Sequence, residues 1–371
     1  MTDFIIRYGR HRESDEMKNI YDLTKDELKN ELCSHGEQPY RAKQVFSWLH
    51  ARGISTFDDM SDIPKGMRAF LKESYTPGSL SVETVQRSQQ DGTEKFLFAL
   101  EDRKYIEGVF MAYRSWNSAC ISSQAGCAMG CRFCASALNG LDRDLTAGEM
   151  TEEVRLIERH TGKHISKIVV MGSGEPLLNY NELMRFIDIM TDPDGRAMSQ
   201  RSITVSTCGI VPGIIRLAEE KRNGAHLQIN LAISLHAATD EKRRELMPVA
   251  QKYPLSELME AAGRYYRATH RKLTFEYALI AGENDTDEDA ERLARLIKDI
   301  HVPHLVNLIP VNPVAERGLK RPDKSRCVNF KNKLENFGIN GSIRRELGSD
   351  IDGACGQLRM RNMKLGGDPG T

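Results

Sequence analysis

From residue 116 onward, short runs of β-branched and apolar residues alternate with longer stretches whose apolar positions recur every three or four residues. The short runs predict strands over 119–123, 167–171, 203–206, 230–235, 273–278 and 305–309. Amphipathic helices fit between them. One over 146–160 opens with a Thr146…Glu149 capping box. Another over 286–300 carries Asp287, Glu288 and Asp289 in its first turn, where the helix dipole favours negative charge. Such alternation builds parallel βα units, and six of them predict a partial (βα)6 barrel of the TIM type rather than a closed eightfold one. The earlier part of the chain reads differently. A helix over 23–36 has a Thr24…Glu27 capping box, Ala42, Val45, Phe46 and Leu49 share a helical face, and a third helix follows Pro64. Strands over 80–87, 95–100 and 105–111 follow, with Asp91-Gly92 as a hairpin turn. The expected organisation is a flexible extension over 1–17, a small helical accessory domain over 18–80, a β extension over 81–115, the barrel over 116–348, and a C-terminal segment over 349–371 with a disordered end.

Composition narrows the class. Among 371 residues, 52 basic and 52 acidic side chains cancel, so any contact with nucleic acid must use local patches. No apolar stretch approaches the roughly 18–20 residues of a membrane helix, and Phe4-Ile5-Ile6 followed by charges makes no signal peptide. A cytoplasmic protein is expected, without a membrane. Eight cysteines are too sparse for a disulfide scaffold.

Three of those cysteines crowd together, in Gly126-Cys127-Ala128-Met129-Gly130-Cys131-Arg132-Phe133-Cys134. A buried helical stripe would have to accommodate Gly126 and Gly130, at roughly 1 kcal/mol each relative to Ala. Structural zinc needs a fourth ligand, and no second pair lies at finger spacing. A Cys131–Cys134 redox pair leaves Cys127 unexplained. An iron–sulfur cube uses all three thiolates and leaves one iron open, with glycines letting the loop fold around it. Barrel chemistry collects at the carboxyl ends of strands. There the sequence places this loop, Gly172-Ser173-Gly174-Glu175-Pro176, Ser206-Thr207, Ser234-Leu235-His236 and Asn307…Asn312-Pro313. Each alone reads as a cap or turn, and His236 alone as a structural histidine. In the glycine-rich loop, Glu175 is placed to pair with an ammonium group. Cys33, Cys208 and Cys327 show no pattern. Cys120 and Cys355 taken singly read as ordinary buried cysteines, and Glu107 as an outward-facing strand residue.

CxxxCxxC with Phe133 before the last cysteine resembles the radical S-adenosylmethionine (SAM) superfamily. The wider set, CISSQ-x-GC from Cys120, the cluster loop, GEPLLN from Gly174, SLHA from Ser234, NLIPVNP from Asn307 and DIDGACGQL from Asp350, resembles the RlmN/Cfr family of adenine methyltransferases over about 20–360. The resemblance implies one [4Fe-4S] cluster on Cys127, Cys131 and Cys134, two molecules of SAM per turnover, and an external one-electron reductant such as flavodoxin or ferredoxin. Gly174, Glu175, Ser206, Ser234, Leu235, His236 and Asn312 would contact SAM. Cys355 would become S-methylcysteine, Cys120 its disulfide partner, and Glu107 a proton acceptor. The implied substrates are 23S rRNA and tRNA, methylated at carbon 2 of adenine, with no stable protein partner. The proline of GEPLLN separates this branch from the carbon-8 Cfr branch. A non-catalytic iron–sulfur or zinc module that binds RNA is the rival of another class. Ser173 stands where the family usually has Met, and Gly353 where Ala is common. Arg41, Lys43, Lys320, Arg321, Lys324, Arg326, Arg344 and Arg345 are the candidate RNA contacts.

Overall fold

The computed structural model describes residues 17–312, 317–351, 356, 358 and 359. Three helices open the chain: α1 (Lys25–Ser34), α2 (Tyr40–His50) and α3 (Lys65–Ser74). Thr24 and Glu27 form both halves of the capping box before α1. α2 buries Ala42, Val45, Phe46 and Leu49, and α3 starts after Pro64 and buries Met67 and Leu71.

One ten-stranded sheet organises the rest. Its members are β1 (Ser81–Arg87), β2 (Glu94–Ala99), β3 (Tyr105–Ala112), β4 (Asn117–Ile121), β7 (Lys167–Val170), β8 (Ile203–Thr207), β9 (Asn230–Ser234), β10 (Leu273–Leu279), β11 (His304–Pro310) and β12 (Gly341–Ile343). A separate small ribbon, β5 (Gln124–Gly126) with β6 (Leu141–Asp144), flanks the cysteine loop. The order across the sheet is β12-β11-β10-β9-β8-β7-β4-β3-β2-β1. From β4 to β12 every pairing is parallel, and from β1 to β4 every pairing is antiparallel. The parallel strands run as the sequence predicts, with helices α4 (Ala147–Thr161), α5 (Tyr180–Thr191), α6 (Val211–Glu219), α7 (Asp240–Leu246), α8 (Leu255–Thr269), α9 (Asp287–Lys298) and α10 (Lys324–Asn336). The addition is β12, which joins the edge parallel to β11.

α4 shows how the halves are joined. Val154 and Ile157 are buried with Phe96, Phe98 and Phe110 of the antiparallel half, each worth roughly 1.5–3 kcal/mol when fully buried. A Cβ on Gly108 would stand 2.8 Å from Phe98 and 3.3 Å from Ile157, so glycine lets β3 lie close beneath the helix. The helix also sinks three carboxylates. Glu149 completes the capping box with Thr146. Glu152 accepts the N–H groups of Ser79 and Leu80 at 2.9–3.1 Å. Glu153 accepts the Ser122 N–H with both oxygens at 3.1 Å. A buried carboxylate needs such donors, and here they fasten the chain entering β1 and the chain leaving β4 to one helix.

Candidate active site

Cys127–Cys134 is irregular, not helical. Gly126 has φ +84°, and a Cβ there would collide with the Gly140 carbonyl. That close approach lets Cys127 N–H donate to Gly140 O at 2.8 Å. Arg132 N–H donates to Leu246 O at 2.9 Å, tying the loop to the end of α7. The loop brings the three thiols together, so that Cys134 acts to raise the pKa values of Cys127 and Cys131, and Cys127 that of Cys131. Burial pushes Cys127 up to about 11, opposed by the Met129 and Gly174 N–H groups aimed at its sulfur. Burial, then Cys134, Cys127 and Glu175, push Cys131 up, with Arg243 acting in the opposite direction. N–H groups pointing at a sulfur that resists ionisation fit a thiolate ligand of a cluster. Among the described residues no three His, Cys, Asp or Glu side chains converge on one metal ion. A four-iron cube makes no such demand, since each thiolate meets a different iron.

The strand ends build the floor beside this loop. A Cβ on Gly172 would lie 2.7 Å from Ile121 O, and one on Gly174, at φ +105°, 2.6 Å from the Gln124 side chain. Only glycine admits these approaches. Glu175 is held between Cys208 N–H at 2.6 Å and Leu177 N–H at 3.0 Å. Its pKa is raised by burial against those donors, and a carboxylate keeps lone pairs for a further donor. Ser206 and Ser234 lie on adjacent parallel strands, and Glu276 N-terminal to the end of β10 stands opposite Ser234. Leu235 and His236 both donate their N–H to Glu276 O, at 3.0 and 3.3 Å. His236 has φ +57°. Its Nδ1 accepts the Ala278 N–H at 2.9 Å, and its ring meets Phe133 edge-on at 4.6 Å. Burial and then Arg243 lower its pKa to about 3, so this ring is a neutral acceptor. Asn312 is exposed beyond β11.

Glu107 corrects the expectation of an outward strand residue: it is 5% exposed. Register explains why. Leu97 faces Glu107 across β2–β3, and Val109 faces Cys120 across β3–β4. Directly opposed residues share a face, so Glu107, Val109 and Cys120 lie on the face opposite α4. Lys95, wholly buried, pairs with Glu107 at 3.0 Å on that same face. Both Glu107 oxygens then accept N–H groups from the far end of the chain, Gly356 at 2.5 Å and Arg359 at 2.6 Å. Gly356 packs so closely on the turn that follows the cysteine loop that a Cβ would stand 2.6 Å from Ser136 N. Cys355 itself lies outside the described residues, as do the extension over 1–16, Gly353 and the end of the chain.

The candidate RNA cations fall into two groups. Arg41 and Lys43 are on α2, with Lys43 paired to Asp194 at 2.8 Å. The others gather around α10 and β12, where Arg321 pairs with Glu346 at 2.5 Å and Arg326 with Asp285 at 3.5 Å. Sequence reasoning missed Lys95, Gln124, Arg243 and Glu276. Glu276, between Phe275 and Tyr277, carried a signal, a charge inside a largely apolar strand, whereas Lys95 follows Glu94 at the start of its strand and reads as a solvated end.

Residues 121–297 match the radical SAM superfamily, and 18–76 match the ribosomal RNA large subunit methyltransferase N-terminal domain. A crystal structure of a radical SAM methyltransferase from Sphaerobacter thermophilus aligns with a TM-score of 0.86 at 41% identity, covering 92% of this chain and 98% of that one. The chain is a radical SAM protein, with the partial barrel, helical N-terminal domain and β extension the sequence predicted. A protein from Lachnospira eligens described as a probable dual-specificity RNA methyltransferase RlmN is 48% identical over 94% of this chain and 97% of its own. One so described from Thermoanaerobacter pseudethanolicus is 48% identical over 94% and 99%. This chain belongs to the RlmN family of RNA methyltransferases. No helix among its described residues is long and apolar enough to cross a membrane.

Proposed function

We propose that the protein methylates carbon 2 of an adenine in 23S rRNA and in tRNA, carrying the methyl group through Cys355. Carbon 2 lies between two ring nitrogens and is too electron-poor to attack a sulfonium methyl, whereas a thiolate can. The Cys355 thiolate displaces the methyl of one SAM, forming S–CH3 and releasing S-adenosylhomocysteine. Cys127, Cys131 and Cys134 would hold a cluster that, when bound, would supply one electron for cleaving a second SAM into methionine and a 5′-deoxyadenosyl radical and would accept one electron in return. Gly174, Glu175, Ser206, Ser234, Leu235, His236 and Asn312 hold that SAM at the strand ends, Glu175 toward its ammonium. The methyl on Cys355 gives up a hydrogen atom, and its carbon bonds to carbon 2. Glu107, the carboxylate of this face, receives the proton lost from the ring. Cys120 Sγ then attacks Cys355 Sγ, the sulfur–carbon bond breaks, the proton of the Cys120 thiol passes to the departing carbon to complete the methyl group, and the methylated base leaves a disulfide behind. Two electrons from an external one-electron carrier restore the thiols in a reducing cytoplasm. The base must be unstacked to enter.

The observation that carries this reading is the hold of Glu107 on the Gly356 N–H, on the face that also bears Cys120. It supports the reading because Gly356, the neighbour of Cys355 in sequence, is held on the Cys120 face and packs against Ala135 and Ser136, just after the cysteine loop. Cys120→Ala should bind cluster and become methylated on Cys355, yet stop as a covalent protein–RNA adduct. Cys355→Ala should form none. Denaturing gels with nuclease digestion and peptide mass spectrometry read the contrast, and normal turnover by Cys120→Ala would overturn the mechanism. The GEPLLN sequence supports carbon 2: digests of reacted RNA should contain 2-methyladenosine, and finding 8-methyladenosine instead would reassign the branch.

A further inference from the structure

Arg243 on α7 is wholly buried, at 0% exposure, and is among the largest side chains withdrawn from water in the described residues. Its Nε donates to Leu235 O at 3.2 Å, and its Nη2 to Cys208 O at 2.6 Å and Ser234 O at 3.4 Å. Its Nη1 is buried without a hydrogen-bond partner among the described residues. Arg243 forms no ion pair with any described carboxylate. Space is made for it, since a Cβ on Gly209 would stand 2.9 Å from Nη2. A guanidinium buried with only carbonyl dipoles around it is strongly disfavoured unless an anion offsets it.

Its hydrogen bonds place it against the cysteine loop: Leu235, whose carbonyl it holds, precedes His236, and the His236 ring meets Phe133, which stands between Cys131 and Cys134. Cys208, then Cys131, then Asp240 of its own helix favour its charge. Burial holds the guanidinium itself below its ordinary pKa, opposed by those groups. The neighbouring His236 ring is a neutral acceptor and adds no charge. The Arg132 N–H bond to Leu246 O couples the cysteine loop to the end of α7.

We propose that Arg243 is the counter-cation of the iron–sulfur cluster, a positioning and tuning residue whose buried charge stabilises the reduced cluster and raises its reduction potential. This rests on the reading that Cys127, Cys131 and Cys134 hold a four-iron cluster. One added electron makes a three-thiolate cluster more anionic, and a fixed cation in a low-dielectric site favours that state.

The test is an anaerobic redox titration followed by EPR, with iron and sulfide counted in each sample. Arg243→Gln should keep its iron while the reduction equilibrium becomes at least tenfold less favourable, a fall of about 59 mV for one electron. Arg243→Lys, which keeps the charge but not the planar fork, should stay within threefold of the native protein. An unshifted potential in an iron-replete Arg243→Gln protein would overturn the proposal. So would a tenfold loss in Arg243→Lys, because the fork and not the charge would then matter. If Arg243→Gln assembles no cluster, the Lys variant decides by the same two outcomes. A native protein that takes up no iron would instead remove the cluster reading, a separate result.

Discussion

The two halves of the sheet bury charge in different ways. In the parallel half, Glu175 is held by N–H groups of neighbouring strand-end loops, those of Leu177 and Cys208. Every donor comes from within the barrel, so this floor is complete before any terminal segment arrives. In the antiparallel half, Glu107 takes Gly356 and Arg359, about 250 residues away in the chain. The β1–β2 turn does the same: Asp91 accepts Gly348 N–H at 2.8 Å, while Ser88 Oγ and Gln89 N–H both donate to Asp350, at 2.6 and 2.8 Å. On the proposed reading, the first half is the seat for SAM. The second is a dock for the C-terminal residues Gly348, Asp350, Gly356 and Arg359. The difference teaches that cofactor binding and methyl carriage should fail separately.

The largest expected effect breaks the first half alone. Cys131→Ala should abolish cluster formation and reduce methylation to the uncatalysed rate, a loss of at least about 10^6-fold. The C-terminal segment should remain docked, because none of its described anchors involves that thiol. Iron analysis and limited proteolysis of the tail read the two halves independently. Increased cleavage at the tail would show that the halves are not independent.

Next comes the dock. Glu107→Gln removes the carboxylate that pairs with Lys95, whose side chain is buried at 0% exposure. Breaking such a pair costs about 3–5 kcal/mol, so the melting temperature should fall and the tail should become protease-sensitive while iron content holds. Replacing both, Lys95→Met with Glu107→Leu, should recover much of the stability but not methylation, because Gly356 and Arg359 lose their acceptor. Recovery of methylation in the double variant would show that Glu107 serves the fold and not the site.

That asymmetry also decides what could be read from the sequence. The parallel half was legible because its signals are local. The Thr146…Glu149 box is present as bonds, α9 opens on its acidic first turn, and Gly172 and Gly174 mark close approaches. Even so, Arg243 in Asp240-Glu241-Lys242-Arg243-Arg244-Glu245 looks like one more charge on a surface helix, and nothing in that run says which cation turns inward. β12 was missed because Gly341-Ser342-Ile343 is too short and too small to alternate; it forms because β11 offers an open edge. In the antiparallel half, alternation gave the strands but not what covers them. Glu107 is buried by Lys95 across the ladder and by a segment far along the chain, and no pattern within β3 records either.

The smallest effect sharpens the comparison at the rim of the dock. The Ser88 hydroxyl, then the Gln89 N–H, hold the Asp350 carboxyl below the usual carboxylate range. The folded value is therefore the lower one, so this contribution is present above the unfolded value of about 3.9 and is lost as pH falls through the folded value. Asp350 is exposed, and an exposed contact of this kind is worth little by itself. Asp350→Ala should lower methylation only severalfold at neutral pH, with iron content and the reduced-cluster EPR spectrum unchanged. In the native protein the Gln89 amide resonance should move as the carboxyl is protonated, and in the variant it should not. If Asp350→Ala instead matched Glu107→Gln in tail cleavage and lost activity, the β1–β2 turn and not Glu107 would be what holds the segment down. The dock would then be centred one strand further from Cys120 than the register on β3 places it.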